Sequence, residues 1–264
     1  MTDRDAMSPR QRAVWQRLDR VADPELDEMV TELGFIEAVT VADDGAVRVT
    51  FRLPTYWCSP NFAFLMAEGI RREVSALPWV RSVEVRLEDH LCAEEMNAAV
   101  NAGRSFADAF ALREDGGDLA EVRETFERKA FQRRQEAVLL ALGGLGFAPA
   151  ELAAMTLGQL DRVALDDPAA AHQRTRYREV LTGRGLAARP ADPAFPDLAG
   201  RPLTEAGWAA RMGELRAVRI NMEFGSALCR SLGRTRYKEA VMVDGEPTLV
   251  DFIAGRPPAP AAAG

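Results

Sequence analysis

Cys58 holds the position in this sequence where a thiol is most exposed to chemical use. It stands in Thr55-Tyr56-Trp57-Cys58-Ser59-Pro60, between an expected strand end and an expected helix start. Free N–H groups at a helix start favour negative charge, so a thiol there is expected to ionise readily and serve as metal ligand or nucleophile. The alternative is a small apolar residue closing the top of a core. Further along, Glu88-Asp89-His90-Leu91-Cys92-Ala93-Glu94-Glu95-Met96-Asn97 concentrates His90, Cys92, Glu94 and Glu95. If a helix starts there, His90 and Glu94 lie one turn apart on one face with Glu95 nearby. Imidazole with carboxylate suits iron or zinc, and a thiolate shifts preference toward zinc or iron–sulfur. The alternative is that Asp89 caps a helix whose solvated face carries Glu94 and Glu95.

The elements that must position these groups are legible in order. Ser8-Pro9-Arg10-Gln11 is a capping-box start, and the helix it opens runs to about Val21. Asp23-Pro24-Glu25-Leu26 reads as a second short helical turn with Asp23 as N-cap, stopped at Gly34. A strand over Phe35–Val41, a tight turn at Asp43-Asp44-Gly45 and a return strand over Ala46–Leu53 follow. Val49, Phe51 and Leu53 alternate with polar neighbours, and Pro54 ends the strand because it has no N–H for the ladder. Ser59 and Pro60 read as N-cap and first residue of a helix ending near Leu77-Pro78. Trp79–Leu87 is a third strand. If it lies parallel beside the second, Cys58 and His90 share one end of the sheet. The order is α-β-β-α-β, a small open sheet with helices on one face.

From Asn101 the texture becomes helical. The expected helices are Ser105–Leu112, Leu119–Leu142, Ala148–Met155, Leu157–Val163, Pro168–Leu181 and most of Leu203–Leu232, with Thr204 as a cap. The run from Ala137 to Leu145 is nearly all apolar and is expected to be buried. Gly183–Arg201 reads as a long loop, and Arg236–Val243 with Thr248–Ile253 as a hairpin. Cys229 is expected to pack among Phe224, Leu228 and Leu232, and Arg230, Arg234 and Arg236 to form a solvated face. The fold class is therefore α+β: an open-sheet domain over 1–100, a helical domain over 101–256 and a disordered tail over 257–264.

Composition narrows the function classes. The chain has 264 residues, 47% hydrophobic, with a net charge of -7, which supplies no basic field for nucleic acid. No apolar run is long enough for a bilayer, and Met-Thr-Asp-Arg-Asp is not a signal peptide, so membrane partners are not expected. Three cysteines, Cys58, Cys92 and Cys229, point to a reducing cytoplasm and away from a disulfide framework.

Residues 10–97 resemble the SufT/PaaD-type metal–sulfur cluster assembly family. Asp23-Pro24-Glu25-Leu26 resembles its Asp-Pro-Glu-hydrophobic motif, and Glu32-Leu33-Gly34-Phe35-Ile36 its acidic-Leu-Gly-apolar-Ile block. Thr55-Tyr56-Trp57-Cys58 resembles its Thr-x-x-Cys, and Leu77-Pro78-Trp79-Val80 with Val83 and Val85 its third strand. The resemblance places the reactive cysteine at Cys58 and the acidic residue before proline at Asp23. Trp57 and Ser59 depart from the family's Gly and Pro flanking that cysteine, and the bulky Trp57 would restrict access or form an apolar lid. The helical half is similar to extended members found beside bacterial soluble di-iron monooxygenases, on the pattern of Phe106, Phe110, Phe126, Lys129 and Arg134-Gln135. What the resemblance implies is a maturation factor, not an enzyme. It would carry iron or an iron–sulfur cluster, with zinc as an alternative, to a client metalloenzyme such as a di-iron monooxygenase subunit. The resemblance puts the cargo on Cys58 and Asp23; the residues after the third strand, His90 to Asn97, depart from the family's aromatic and polar end, and read by themselves His90 and Glu94, with Cys92 or Glu95, would complete the metal site with Cys58; a homodimer is allowed. A metal-free adaptor for a monooxygenase subunit, and a thiol enzyme using Cys58 with His90 as base, are the competing readings.

Overall fold

The computed structural model describes residues 7–110 and 119–237, with the short strand pairs 242–243 and 246–247. The chain divides into two compact units, residues 1–123 with 224–264, and residues 124–223.

The first unit begins with α1 (Pro9–Leu18), closed by the expected box: Gln11 N–H donates to Ser8 Oγ and Ser8 N–H donates back to Gln11 Oε1. Val14, Trp15 and Leu18 form its buried stripe. β1 (Ile36–Val41) and β2 (Ala46–Arg52) are antiparallel, with a bulge between Ile36 and Ala38. Gly45 permits the hairpin: its φ is +89, and a Cβ there would stand 2.6 Å from the Trp79 carbonyl oxygen. α2 (Pro60–Ser75) then crosses over to β3 (Ser82–Glu88), which pairs parallel to β2 from Ala46↔Ser82 to Arg52↔Glu88. The sheet order is β1-β2-β3. Val47, Val49 and Phe51 of β2 and Val85 and Leu87 of β3 are buried with Phe64, Met66 and Ile70 of α2. The alternate positions carry charge: Arg48 pairs with Glu84, Arg52 with Glu37 and Glu88, and Arg86 with Glu88.

β3 ends the sheet, so its outer N–H and C=O groups need partners. α3 (Ala93–Asn101) supplies them through two asparagines one turn apart. Asn97 accepts from Leu87 N–H and donates to Leu87 O; Asn101 does the same for Val85, all at 2.8–2.9 Å. The i,i+4 rise of a helix is close to two residues of strand, so side-chain amides stand in for a fourth strand. α4 (Phe106–Phe110) adds Phe106 and Phe110 to this same core, with Phe106 edge-on to Phe64 at 5.4 Å.

α5 (Leu119–Gly144) and α9 (Trp208–Arg236) each contain one boundary between the units. In the second unit lie α6 (Pro149–Ala154), α7 (Leu157–Arg162) and α8 (Pro168–Gly183). The segment after α8 is a loop, as expected. Its core stacks Phe131, Tyr177 and Phe195, with ring centroids 5.7 and 5.9 Å apart. Gln135 is buried beside them. Its Nε2 donates to Tyr177 Oη and Pro196 O, its Oε1 accepts from Arg211, and Tyr177 donates on to Ala194 O. Within the apolar run Ala137–Leu145, Val138, Leu139 and Leu142 are buried but Leu140 and Leu145 are exposed. A helix turns only one face to a core, so an unbroken apolar run cannot be buried throughout.

Two expected elements differ. Asp23–Leu26 is a hydrogen-bonded turn, not a helix, because Asp27 takes a left-handed φ of 51. The expected helix start near Asp89 is also absent: Asp89 has φ 57, and α3 begins only at Ala93 with Cys92 as N-cap. At the C-terminus β4 (Met242–Val243) pairs with β5 (Glu246–Pro247), so Glu246 and Pro247, expected in the turn, stand in a strand, and Arg236, expected to open the first strand, ends α9; residues 248–253 and the tail over 257–264 lie outside the described residues.

Candidate functional site

Parallel pairing of β2 and β3 brings the segments that follow both strands to one edge. The first carries Cys58. Its N–H donates to Thr55 O at 3.4 Å, and its thiol is held by the Thr55 side chain and the Ser59 N–H. Ser59 takes the N-cap position of α2 without a side-chain capping bond. Cys58 is half-buried, and burial, the largest influence, raises its thiol pKa, with the charge of Asp23 adding to the rise. Burial thus opposes the ionisation expected from the helix start. Trp57 is 75% exposed and does not close over the core.

The second segment carries His90, which is buried and spans between backbones. Cys92 N–H donates to its Nδ1 at 3.2 Å, which leaves the proton on Nε2, and Nε2–H donates to Cys58 O at 2.8 Å. Leu91 N–H donates to Tyr56 O at 2.8 Å alongside. The ring therefore ties the Cys58 loop, through Nε2, to the turn before α3, through Nδ1. Burial chiefly lowers its pKa, and Arg236 lowers it further. A nucleophile–base pair would have this ring on the thiol; its contact with Cys58 is instead at the carbonyl oxygen.

Asp23 forms the third side. It is buried, and its Oδ1 accepts from the N–H groups of Glu25 and Leu26, both at 2.9 Å. Burial dominates those bonds and raises its pKa to about 6. A carboxyl that binds its proton more tightly folded than unfolded adds stability below its unfolded pKa, near 4, and that stability is lost as pH rises through about 6. Asp23→Asn keeps an acceptor for both N–H groups and removes the buried charge. It is expected to stabilise the protein at pH 8 by about 1–3 kcal/mol and to flatten the pH dependence between 4 and 6, read by urea unfolding at pH 4 and pH 8. Equal stability of both proteins at pH 8 would contradict this.

The C-terminal part of α9 supplies the fourth side, which the sequence reading missed. A Cβ on Gly225 would lie 3.1 Å from Leu26 Cδ2, and Ser226 Oγ donates to Glu28 at 3.0 Å. Arg230 pairs with Glu28, while Arg236 pairs with Asp89 at 2.8 Å and donates to Leu53 O, which also accepts from Tyr237 Oη. Arg230 and Arg236 are therefore not a solvated face. Cys229 lies between these two anchorages. Burial first, then the charges of Asp23 and Cys58, raise its thiol pKa to about 11. Phe224, Leu228 and Leu232, the expected packing partners of Cys229, are instead exposed. They repeat every four residues along one helix face, and Cys229 follows Gly225 and Ser226 toward the loop.

Of the expected ligand set, the structure brings Cys58 and His90 together through backbone contact and sets Asp23 beside them electrostatically. Cys92 is sealed in the core as the N-cap of α3, and Glu94 and Glu95 are exposed on the first turn of that helix. They do not converge with Cys58 because the helix starts after His90, not before it. Among the described residues no three His, Cys, Asp or Glu side chains stand close enough to hold a metal ion. Two thiols, Cys58 and Cys229, pack against the core of the first unit, and the charge of Asp23 reaches both.

The fold and the site together are an α-β-β-α-β layer with a half-buried thiol on the loop that leaves the end of its central strand. Residues 11–87 match the model of the family described as iron–sulfur cluster assembly protein. An uncharacterized protein of Methanocaldococcus jannaschii is 31% identical over 84 residues, 32% of this chain and 86% of that protein. No solved structure matches the chain. The chain belongs to the iron–sulfur cluster assembly family through this N-terminal segment. Asp23 and Cys58 fall inside the matched residues; His90, Cys92, Glu94, Glu95 and Cys229 fall beyond them. Among the described residues, no helix is long and apolar enough to cross a membrane.

Proposed function

We propose that this protein is an accessory factor that takes up iron or an iron–sulfur cluster on Cys58 and passes it to a client metalloenzyme, with a di-iron monooxygenase subunit as the client class. The observation that carries the reading is the placement of Cys58, inside the family match, on a loop braced by His90 beyond the end of the central strand. Exchangeable cargo needs incomplete coordination, which a half-buried thiol with few neighbouring ligands provides. Exposed Tyr56, Trp57 and Leu91 beside the thiol offer apolar surface for a protein client. The test is anaerobic reconstitution with ferrous iron and sulfide, followed by iron and sulfide analysis. Cys58→Ala is expected to retain at most about a tenth of the wild-type cargo, since thiolate is the natural ligand here. Equal loading of the two proteins would reject the reading.

A metal-free adaptor is the second reading, favoured by the engagement of both His90 ring nitrogens with backbone. Client binding that survives both Cys58→Ala and a chelator would select it.

A further inference from the structure

The geometry points to Cys229 as a second thiol of the cargo site: the last helix, outside the family match, carries it to Cys58 and makes a two-thiolate seat for a thiophilic divalent cation or the iron of a cluster. This rests on the cargo role proposed for Cys58.

The placement is fixed from both sides. One turn before Cys229, Gly225 touches Leu26 and Ser226 bonds Glu28, so this face lies on the loop that holds Asp23. Two turns after it, Arg236 and Tyr237 bond Leu53 O, at the strand end from which the Cys58 loop departs. Arg236 also stands 6.0 Å from the centroid of the Tyr56 ring, two residues before Cys58. A Cβ at 225 would stand 3.1 Å from Leu26 Cδ2, so the helix lies close against this loop. Cys229 and Cys58 both pack against the edge of the same core, and both feel the charge of Asp23. Cys92, the other cysteine, is closed off within that core.

The chemistry follows from the charges. Two thiols set beside an acidic loop bearing Asp23, Glu25 and Glu28 attract a cation by charge and hold it by sulfur. Binding exchanges two S–H bonds for two metal–sulfur bonds and releases two protons to solvent, with no change in oxidation state. The remaining positions on the metal stay open to a small thiol or to a client's ligand.

The experiment is anaerobic titration of the full chain with cobalt(II), read by thiolate-to-metal charge-transfer absorption in the near ultraviolet. Wild type is expected to show the band at one ion per chain. Cys229→Ser and Cys58→Ser are each expected to lose about half its intensity and at least about tenfold in affinity, and the double variant to lose the band. A Cys229→Ser protein with the full band and affinity overturns the inference, while loss in Cys58→Ser alone leaves the proposed function standing. A full band in both single variants rejects both. A second measurement needs no variant. Diamide, a dithiol oxidant, accepts two electrons and two protons from a thiol pair to give a hydrazine and a disulfide. A Cys58–Cys229 cross-link in the peptide map is expected, and its absence while both thiols remain alkylatable overturns the seat.

Discussion

Replacing His90 with alanine is expected to cost about 2–4 kcal/mol and to free the Cys58 loop. The ring is buried, accepts from Cys92 N–H and donates to Cys58 O. Alanine strands one buried donor and one acceptor and leaves a cavity, and each stranded group costs about 1–3 kcal/mol. The two bonds can be separated. Asparagine places an oxygen where Nδ1 lies and is too short to reach Cys58 O, while glutamine reaches Cys58 O and loses the tight Cys92 contact. Both are expected to fall between wild type and alanine. Urea unfolding measures the stability, and the rate of Cys58 alkylation measures the loop, which should react several-fold faster in His90→Ala. Unchanged stability and unchanged alkylation would remove His90 from the brace.

The same bond network gives a pH dependence of opposite sign to that of Asp23. The folded-state pKa of His90 is lowered, mainly by burial. Its contribution is fully present above the unfolded value near 6.5, and is lost as pH falls through the lower folded value. Protonation puts a second N–H at Nδ1, facing the N–H of Cys92. His90→Gln should therefore lose less stability than wild type on acidification, where Asp23→Asn removes a loss that occurs on raising the pH.

In the second unit the largest effect is expected at Tyr177. It is fully buried, packs between Phe131 and Phe195, accepts from Gln135 and donates to Ala194 O. Tyr177→Ala removes an aromatic ring and strands a carbonyl, for an expected loss of about 4–5 kcal/mol. Tyr177→Phe keeps the ring; Gln135 Nε2 retains Pro196 O, and the loss should be about 1–2 kcal/mol. Hydrogen exchange should localise the weakening of Tyr177→Ala to residues 124–223. A loss under about 1 kcal/mol for alanine would show that the cavity refills and the ring is not central.

The sheet was legible because its signals are local. Alternation at Val49, Phe51 and Leu53, the turn at Asp43-Asp44-Gly45 and the Ser8–Gln11 box each act within a few residues. The matched family was legible from short blocks over the same stretch. The environment of the site was less so. A histidine between backbone amides has no sequence pattern, because its partners are chosen by the parallel pairing of β2 and β3. Asp23 looked like a helix cap because a carboxylate accepting two N–H groups looks alike in a turn and a first helical turn; the left-handed Asp27 decides between them. Cys229 looked isolated because its partners lie in the first few dozen residues, beyond any window that periodicity covers.

The bond between Ser226 and Glu28 joins residues 198 positions apart, and Arg230 joins the same glutamate across 202. A ribosome delivers the strands and Cys58 long before it delivers α9. Through most of translation, Leu26 and the acidic turn at Asp23–Glu28 therefore lack their helical cover, and Cys58 stands as a single thiol. On the two-thiol seat proposed above, delivery of α9 is the event that brings the second sulfur, so a product terminated before α9 would offer a soft metal one thiol in place of two.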